Sequence, residues 1–123
     1  MAIGRWGVWF SPNALPLEEI GRLAQEVEGY GYDILWYPEA MGYEAMAYGS
    51  YLLGRTSKLM LASGIANIYA RDASAAMQGH NTLNALYDGR FILGLGVSHI
   101  PIVEGARGHD YGKPLSAMRS YLE

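Results

Sequence analysis

Asp88-Gly89-Arg90-Phe91-Ile92-Leu93-Gly94-Leu95-Gly96-Val97-Ser98-His99 holds a helix end, a strand and a polar strand exit in one short stretch. Gly89 is a natural C′ residue for a helix arriving from its N-terminal side. Phe91–Val97 is apolar at consecutive positions rather than alternate ones. That pattern suits a strand buried on both faces, as in a parallel sheet covered by helices. Working outward, three more runs have the same character: Trp6–Phe10, Ile34–Tyr37 and Leu59–Ile65. Successive runs start roughly 25–32 residues apart, the length of a right-handed βαβ unit.

Helical patterns fill the intervals. Leu17, Ile20, Leu23, Ala24 and Val27 recur at helical spacing, with Glu18, Glu19, Glu26 and Glu28 on the other side. Pro16 suits the first turn, and Gly29 or Gly31 can close the helix. Tyr43–Leu53 reads as a second helix ended by Gly54. A third runs from Asp72, a good N-cap, to Tyr87, with Ala76, Leu83 and Leu86 inward. A fourth starts at Pro114, with Leu115, Met118 and Leu122 on one stripe. The order is β-α-β-α-β-α-β-α. An open doubly wound sheet and part of a closed barrel both fit it.

Composition removes several classes of function. The 123 residues carry a net charge of −3, and the nine Lys and Arg are scattered without a cluster. That argues against a nucleic-acid partner. With no cysteine, disulfides, thiolate metal ligands and cysteine nucleophiles are excluded. No His, Asp and Glu grouping has metal-ligand spacing, so no metal is expected. Arg5 and Pro12 interrupt the N-terminal stretch, which does not read as a signal-peptide core. No apolar run has the length to span a bilayer. The expectation is a cytoplasmic protein with a small-molecule substrate and no membrane partner.

The glycines of Leu93-Gly94-Leu95-Gly96-Val97-Ser98 lack the third glycine of a dinucleotide loop, and Pro101 follows soon after. Small residues at a strand end where a ligand approaches are the better reading. Gly64, inside Ala62-Ser63-Gly64-Ile65-Ala66-Asn67, marks a kink, a bulge or a close backbone approach. Glu39 follows the second strand and His99 the fourth. Ligands of parallel α/β layers bind at the carboxyl ends of strands, so a carboxylate and an imidazole there could face one pocket. Alone, each reads as readily as an exposed loop Glu or a His satisfied by backbone. His80 reads as a half-buried helix residue and His109 as a solvated loop residue. Trp9, Trp36, Tyr37 and Tyr69, at strand ends, suit either the walls of a flat-ring site or core and rim packing.

Four stretches together resemble the luciferase-like oxidoreductase family, above all its F420-dependent branch. They are Gly31–Glu39, Ser63–Asp72, Asp88–His99 and Tyr111–Leu115. The likeness runs along essentially the whole chain in family order. It implies a partial (β/α)₈ TIM barrel: residues 1–123 would be the N-terminal half, the first four β/α units, cut short of a barrel typically over twice this length. It implies a non-prolyl cis peptide at Gly64–Ile65. One branch of the family places a His after the second strand and a Glu after the fourth, and here Glu39 and His99 stand interchanged. The expected function is hydride transfer between coenzyme F420 and a small organic substrate. The alternatives are an FMN-dependent monooxygenase and a non-catalytic half-barrel fragment. His99 would donate a proton or stabilise negative charge, and Glu39 would orient His99 or polarise the substrate. Gly64, Ile65, Asn67 and Ser98 would contact cofactor or pocket. The unpaired edges of a half-barrel would be covered by homo-oligomerisation or by a missing C-terminal half.

Overall fold

The computed structural model describes residues 3–123. Its elements are β1 (Gly7–Trp9), α1 (Leu17–Gly29), β2 (Ile34–Tyr37), α2 (Ala45–Arg55), β3 (Met60–Ser63), β4 (Ala66–Asn67), α3 (Ala73–Leu86), β5 (Phe91–Ile92), β6 (Leu95–Gly96) and α4 (Pro114–Leu122). A 3-10 turn at Pro12–Ala14 precedes α1. A π-helical segment, Pro101–Ala106, follows β6, where the sequence pattern shows no helix.

β1, β2, β3 and β5 form one parallel sheet in that order. A doubly wound sheet reverses its strand order at a switch point. The four strands here run consecutively, as do the first units of a barrel. The fold is α/β with a parallel sheet, in the strand order of part of a barrel. The third and fourth strand runs are each broken in two. β4 continues β3 beyond Gly64-Ile65, β6 continues β5 beyond Leu93-Gly94, and β4 pairs with β6 in parallel. The run Leu59–Ile65 is interrupted where Gly64 marks a kink, and Phe91–Val97 holds an interruption that continuous apolarity conceals.

Alternate residues of the strands enter two different layers. Leu35, Tyr37, Leu61 and Phe91 pack with Ile20, Ala24, Leu52, Leu53 and Leu83 of the helices. Ile34, Met60 and Ala62 pack with Trp36 and Ile92 on the opposite face. Double burial explains why β2 and β3 lack hydrophobic alternation. β1 is covered on one face only: Val8 packs on the helical layer, while Trp9 is 58% exposed.

Local signals set most helix ends. Asp72 caps α3, its carboxylate accepting Ala75 N–H at 2.7 Å. Gly31, at φ 85°, takes the left-handed position after α1. At the end of α3 that position falls to Asp88, at φ 54°, with Gly89 following at φ 74°. α2 begins two residues later than the sequence pattern suggests, because Glu44 supplies its cap through Ala47 N–H at 2.8 Å. It runs through Gly54 to Arg55. α4 has no buried residue, and Leu115 and Leu122 are exposed. Among the described residues, no helix is long and apolar enough to cross a membrane.

Arg90 pins this framework. Its buried guanidinium donates to Leu53 O (2.9 Å), Thr56 O (3.2 Å), Leu59 O (3.0 Å) and Thr56 Oγ1 (3.1 Å). Four donors of one planar group thus satisfy the carbonyls left open where α2 ends and β3 begins.

Candidate functional site at the strand exits

The two interruptions lie side by side at the carboxyl edge of the sheet. Gly64 N–H donates to Tyr37 O (2.7 Å), Ala66 N–H to Gly94 O (2.7 Å) and Ile68 N–H to Gly96 O (3.0 Å). The Gly64–Ile65 peptide is cis. Ser63 Oγ bridges to Gly94, donating to its carbonyl at 2.9 Å and lying 3.0 Å from its N–H. The crossing is close. A Cβ on Gly94 would stand 2.1 Å from Ser63 O, and one on Gly96 would stand 2.5 Å from Ile65 Cγ1. Only glycine permits this approach.

Trp9 reaches over the turn, its indole N–H donating to Gly64 O at 3.2 Å, and Trp36 lies against Gly64 from the same face. The result is a shelf of backbone and small side chains with aromatic rings beside it. Ser98 follows β6 with φ 56°, and the exposed His99 opens the π-helical segment, its carbonyl accepting Ile102 and Val103 N–H. Tyr69 and Tyr111 stack with centroids 5.5 Å apart. Tyr69 Oη donates to Tyr111 O at 2.7 Å and Tyr111 Oη to Ser98 O at 3.3 Å. These bonds fold the segment after β6 back onto the end of β4.

Glu39 is buried, and both its oxygens are engaged. Oε1 accepts Asn67 N–H at 3.0 Å. Oε2 accepts Ala45 N–H at 2.6 Å and is ion-paired with Arg71. Arg71 also donates to Asn67 O at 3.2 Å and Glu44 Oε1 at 2.8 Å. On the side where β2 has ended, the Glu39–Arg71 pair thereby supplies a partner to both backbone polar groups of Asn67, whose carbonyl also accepts Ala70 N–H at 3.1 Å. Burial pushes the Glu39 carboxyl up, but Arg71 and the Asn67 and Ala45 N–H groups outweigh it and hold the carboxyl below the ordinary carboxylate range.

Glu39 and His99 both follow carboxyl ends of strands, yet no hydrogen bond joins them among the described residues. The orienting partner of Glu39 is Arg71, not His99. Asn67 is 1% exposed, and its Oδ1 closes a turn with Tyr69 N–H at 2.9 Å. Gly64, Ile65 and Ser98 are only partly buried. His80 lies half-buried against Phe91, with centroids 6.3 Å apart, and His109 is exposed. Arg71 went unassigned in the sequence. It lies 32 positions from Glu39, and no local spacing signals that pairing.

A consecutive parallel sheet with small-residue exits at its carboxyl edge is the arrangement of the first units of a barrel, a fold class whose ligand sites lie at that edge. The family model for luciferase-like monooxygenases matches residues 3–123, and the chain belongs to that family. The chain is 32% identical over 123 residues to Mycobacterium tuberculosis Rv3520c, a protein named for coenzyme F420-dependent oxidoreductase activity. The match covers 100% of this chain and 34% of that protein, so the chain spans about a third of that relative's length. The F420-dependent tetrahydromethanopterin reductase of Methanopyrus kandleri superposes with a TM-score of 0.81 at 23% identity, over 95% of this chain and 38% of that one. The oxygenating constituent of 3,6-diketocamphane monooxygenase from Pseudomonas putida, solved with FMN, gives 0.81 at 16% identity, over 95% and 37%. These two likenesses show a shared fold.

Proposed function

We propose that this chain supplies the cofactor-facing strand exits of an F420-dependent oxidoreductase, which transfers a hydride between the deazaflavin and a small organic substrate. The observation that carries this reading is the shelf at Ser63–Ala66 and Gly94–Gly96, with Trp9 and Trp36 beside it. Its open side presents backbone and small groups rather than long side chains, which fits a flat ring system. Gly64, Ile65 and Ser98 would contact such a ring, and Asn67 would set the position of the shelf from beneath. The deazaflavin, when bound, supplies the two-electron redox chemistry. The chain's own residues orient the ring, keep water from one face and manage a proton at the substrate. His99 is the group placed for proton exchange, because its imidazole is exposed just beyond Ser98. Glu39 keeps its charge and acts from beneath, through Arg71 and Asn67.

Titration of the chain with F420 and, separately, with FMN tests the reading through the fluorescence of each cofactor. Tighter binding of F420 supports it. Tighter binding of FMN selects the monooxygenase alternative, and no binding of either removes the shelf as a cofactor site.

A further inference from the structure

A cavity opens beside Glu39 and Arg71, and the proposed chemistry uses none of its other walls. It is an open cleft of about 710 Å³ between the loop after β2, the first turns of α2 and α3, and the segment after the π-helix. That volume lies within the range of small-molecule sites, roughly 300–1,000 Å³. Its floor carries the Glu39–Arg71–Glu44 cluster, in which the one guanidinium is matched by two carboxylates. Arg107 lines the opposite wall with His109. Among the described residues, no carboxylate lies within ion-pair distance of Arg107. Its Nε–H is shut off from solvent and has no hydrogen-bond partner.

A buried donor on a charged group is costly to leave unmade. Arg55 Nε is also unpartnered, but that guanidinium is already paired with Glu18. Arg107 shares the orphaned Nε–H but, among the described residues, has no carboxylate within ion-pair distance. A guanidinium offers a planar fork of donors that matches two oxygens of one oxyanion. The remaining walls are apolar, formed by Met41, Met46, Ala75 and Ala106. Methionine adapts to the shape of an apolar body packed against it.

We infer that this cleft binds a small organic oxyanion, a carboxylate or a phosphate ester, with its charged head on Arg107 and its apolar body against Met41 and Met46. The site shares Glu39 and Arg71 with the clamp that holds Asn67, and its test requires no redox cofactor.

The melting temperature of the 123-residue chain is measured against benzoate, phenyl phosphate and benzamide at constant ionic strength. The expected result is a saturable rise with benzoate or phenyl phosphate and none with benzamide. The tighter of the two anions identifies the oxyanion. Arg107→Gln should weaken the response about tenfold or more, and Arg107→Lys should fall between the two, since it keeps the charge and loses the fork. Should Arg107→Gln fail to fold, protection of Arg107 from phenylglyoxal by the same anion in the wild-type chain gives an independent readout. Absence of any anion response, an equal response in a folded Arg107→Gln chain, or no protection of Arg107 would overturn the inference. So would a wild-type dimer that Arg107→Gln converts to monomer, because the partner of the guanidinium would then be a second copy of the chain.

Discussion

Glu39→Gln separates a clamp from a catalytic carboxylate. The substitution removes the charge but keeps the shape and one acceptor. That acceptor can still serve Asn67 N–H, now 3.0 Å from Oε1. The amide nitrogen then faces two donors, Ala45 N–H and the Arg71 guanidinium. Removing one partner of a buried ion pair costs about 3–5 kcal/mol. Arg71 keeps Glu44, 2.8 Å away, so the lower end applies, about 3 kcal/mol. For a chain of this size, that corresponds to a fall in melting temperature of about 10–18 °C. The pH dependence gives the sharper test. The native carboxyl titrates below its unfolded value, so its stabilisation is fully present above the unfolded pKa of about 4.3 and is lost as pH falls through the lower native value. Glu28 shifts in the same direction, but it is present in both proteins and cancels from the difference. Urea unfolding of both chains between pH 7 and pH 3 should show a gap that closes on acidification below about pH 4.3. A gap under about 0.5 kcal/mol at pH 7, or one that persists unchanged at pH 3, would refute the clamp.

Arg90→Met should destabilise the chain by about 3 kcal/mol in urea unfolding, because three carbonyls lose their donor together; a loss under about 1 kcal/mol would mean that water replaces the guanidinium. Gly94→Ala places a methyl 2.1 Å from the Ser63 carbonyl, so the β4–β6 crossing must open; about 1–3 kcal/mol of stability and most F420 affinity should go, and an unchanged Kd would dissociate the shelf from the cofactor. His99→Ala should lower kcat with F420 about a hundredfold while cofactor Kd moves less than about twofold; equal changes in both would make His99 a binding residue.

Much of the framework is local and was legible in the sequence. Asp72 before an apolar helical pattern is a cap whatever else the chain does, because its carboxylate reaches an N–H three residues on. Gly31 closes α1 because a left-handed turn favours a residue without Cβ. Apolar runs at βαβ spacing give the parallel sheet, because strands covered by helices must be apolar on both faces. The motif likeness of Ser63–Asp72 also implied the cis peptide at Gly64–Ile65, which the structure has. What the sequence could not supply was every feature whose partners meet only in three dimensions. Continuous apolarity hides the break at Leu93-Gly94, since hydrophobicity carries no information on backbone direction, whereas Gly64 signals the break in the third run. Glu39 reads as a pocket carboxylate until Arg71 and Asn67, distant in sequence, arrive to occupy both its oxygens. No local spacing marks Arg90 as a clamp, because the carbonyls it holds at the end of α2 lie more than thirty residues away. Local steric and hydrogen-bonding preferences act within a few residues and leave a signature in spacing. The positions of buried charges depend on which distant groups pack around them, and only the tertiary structure decides that.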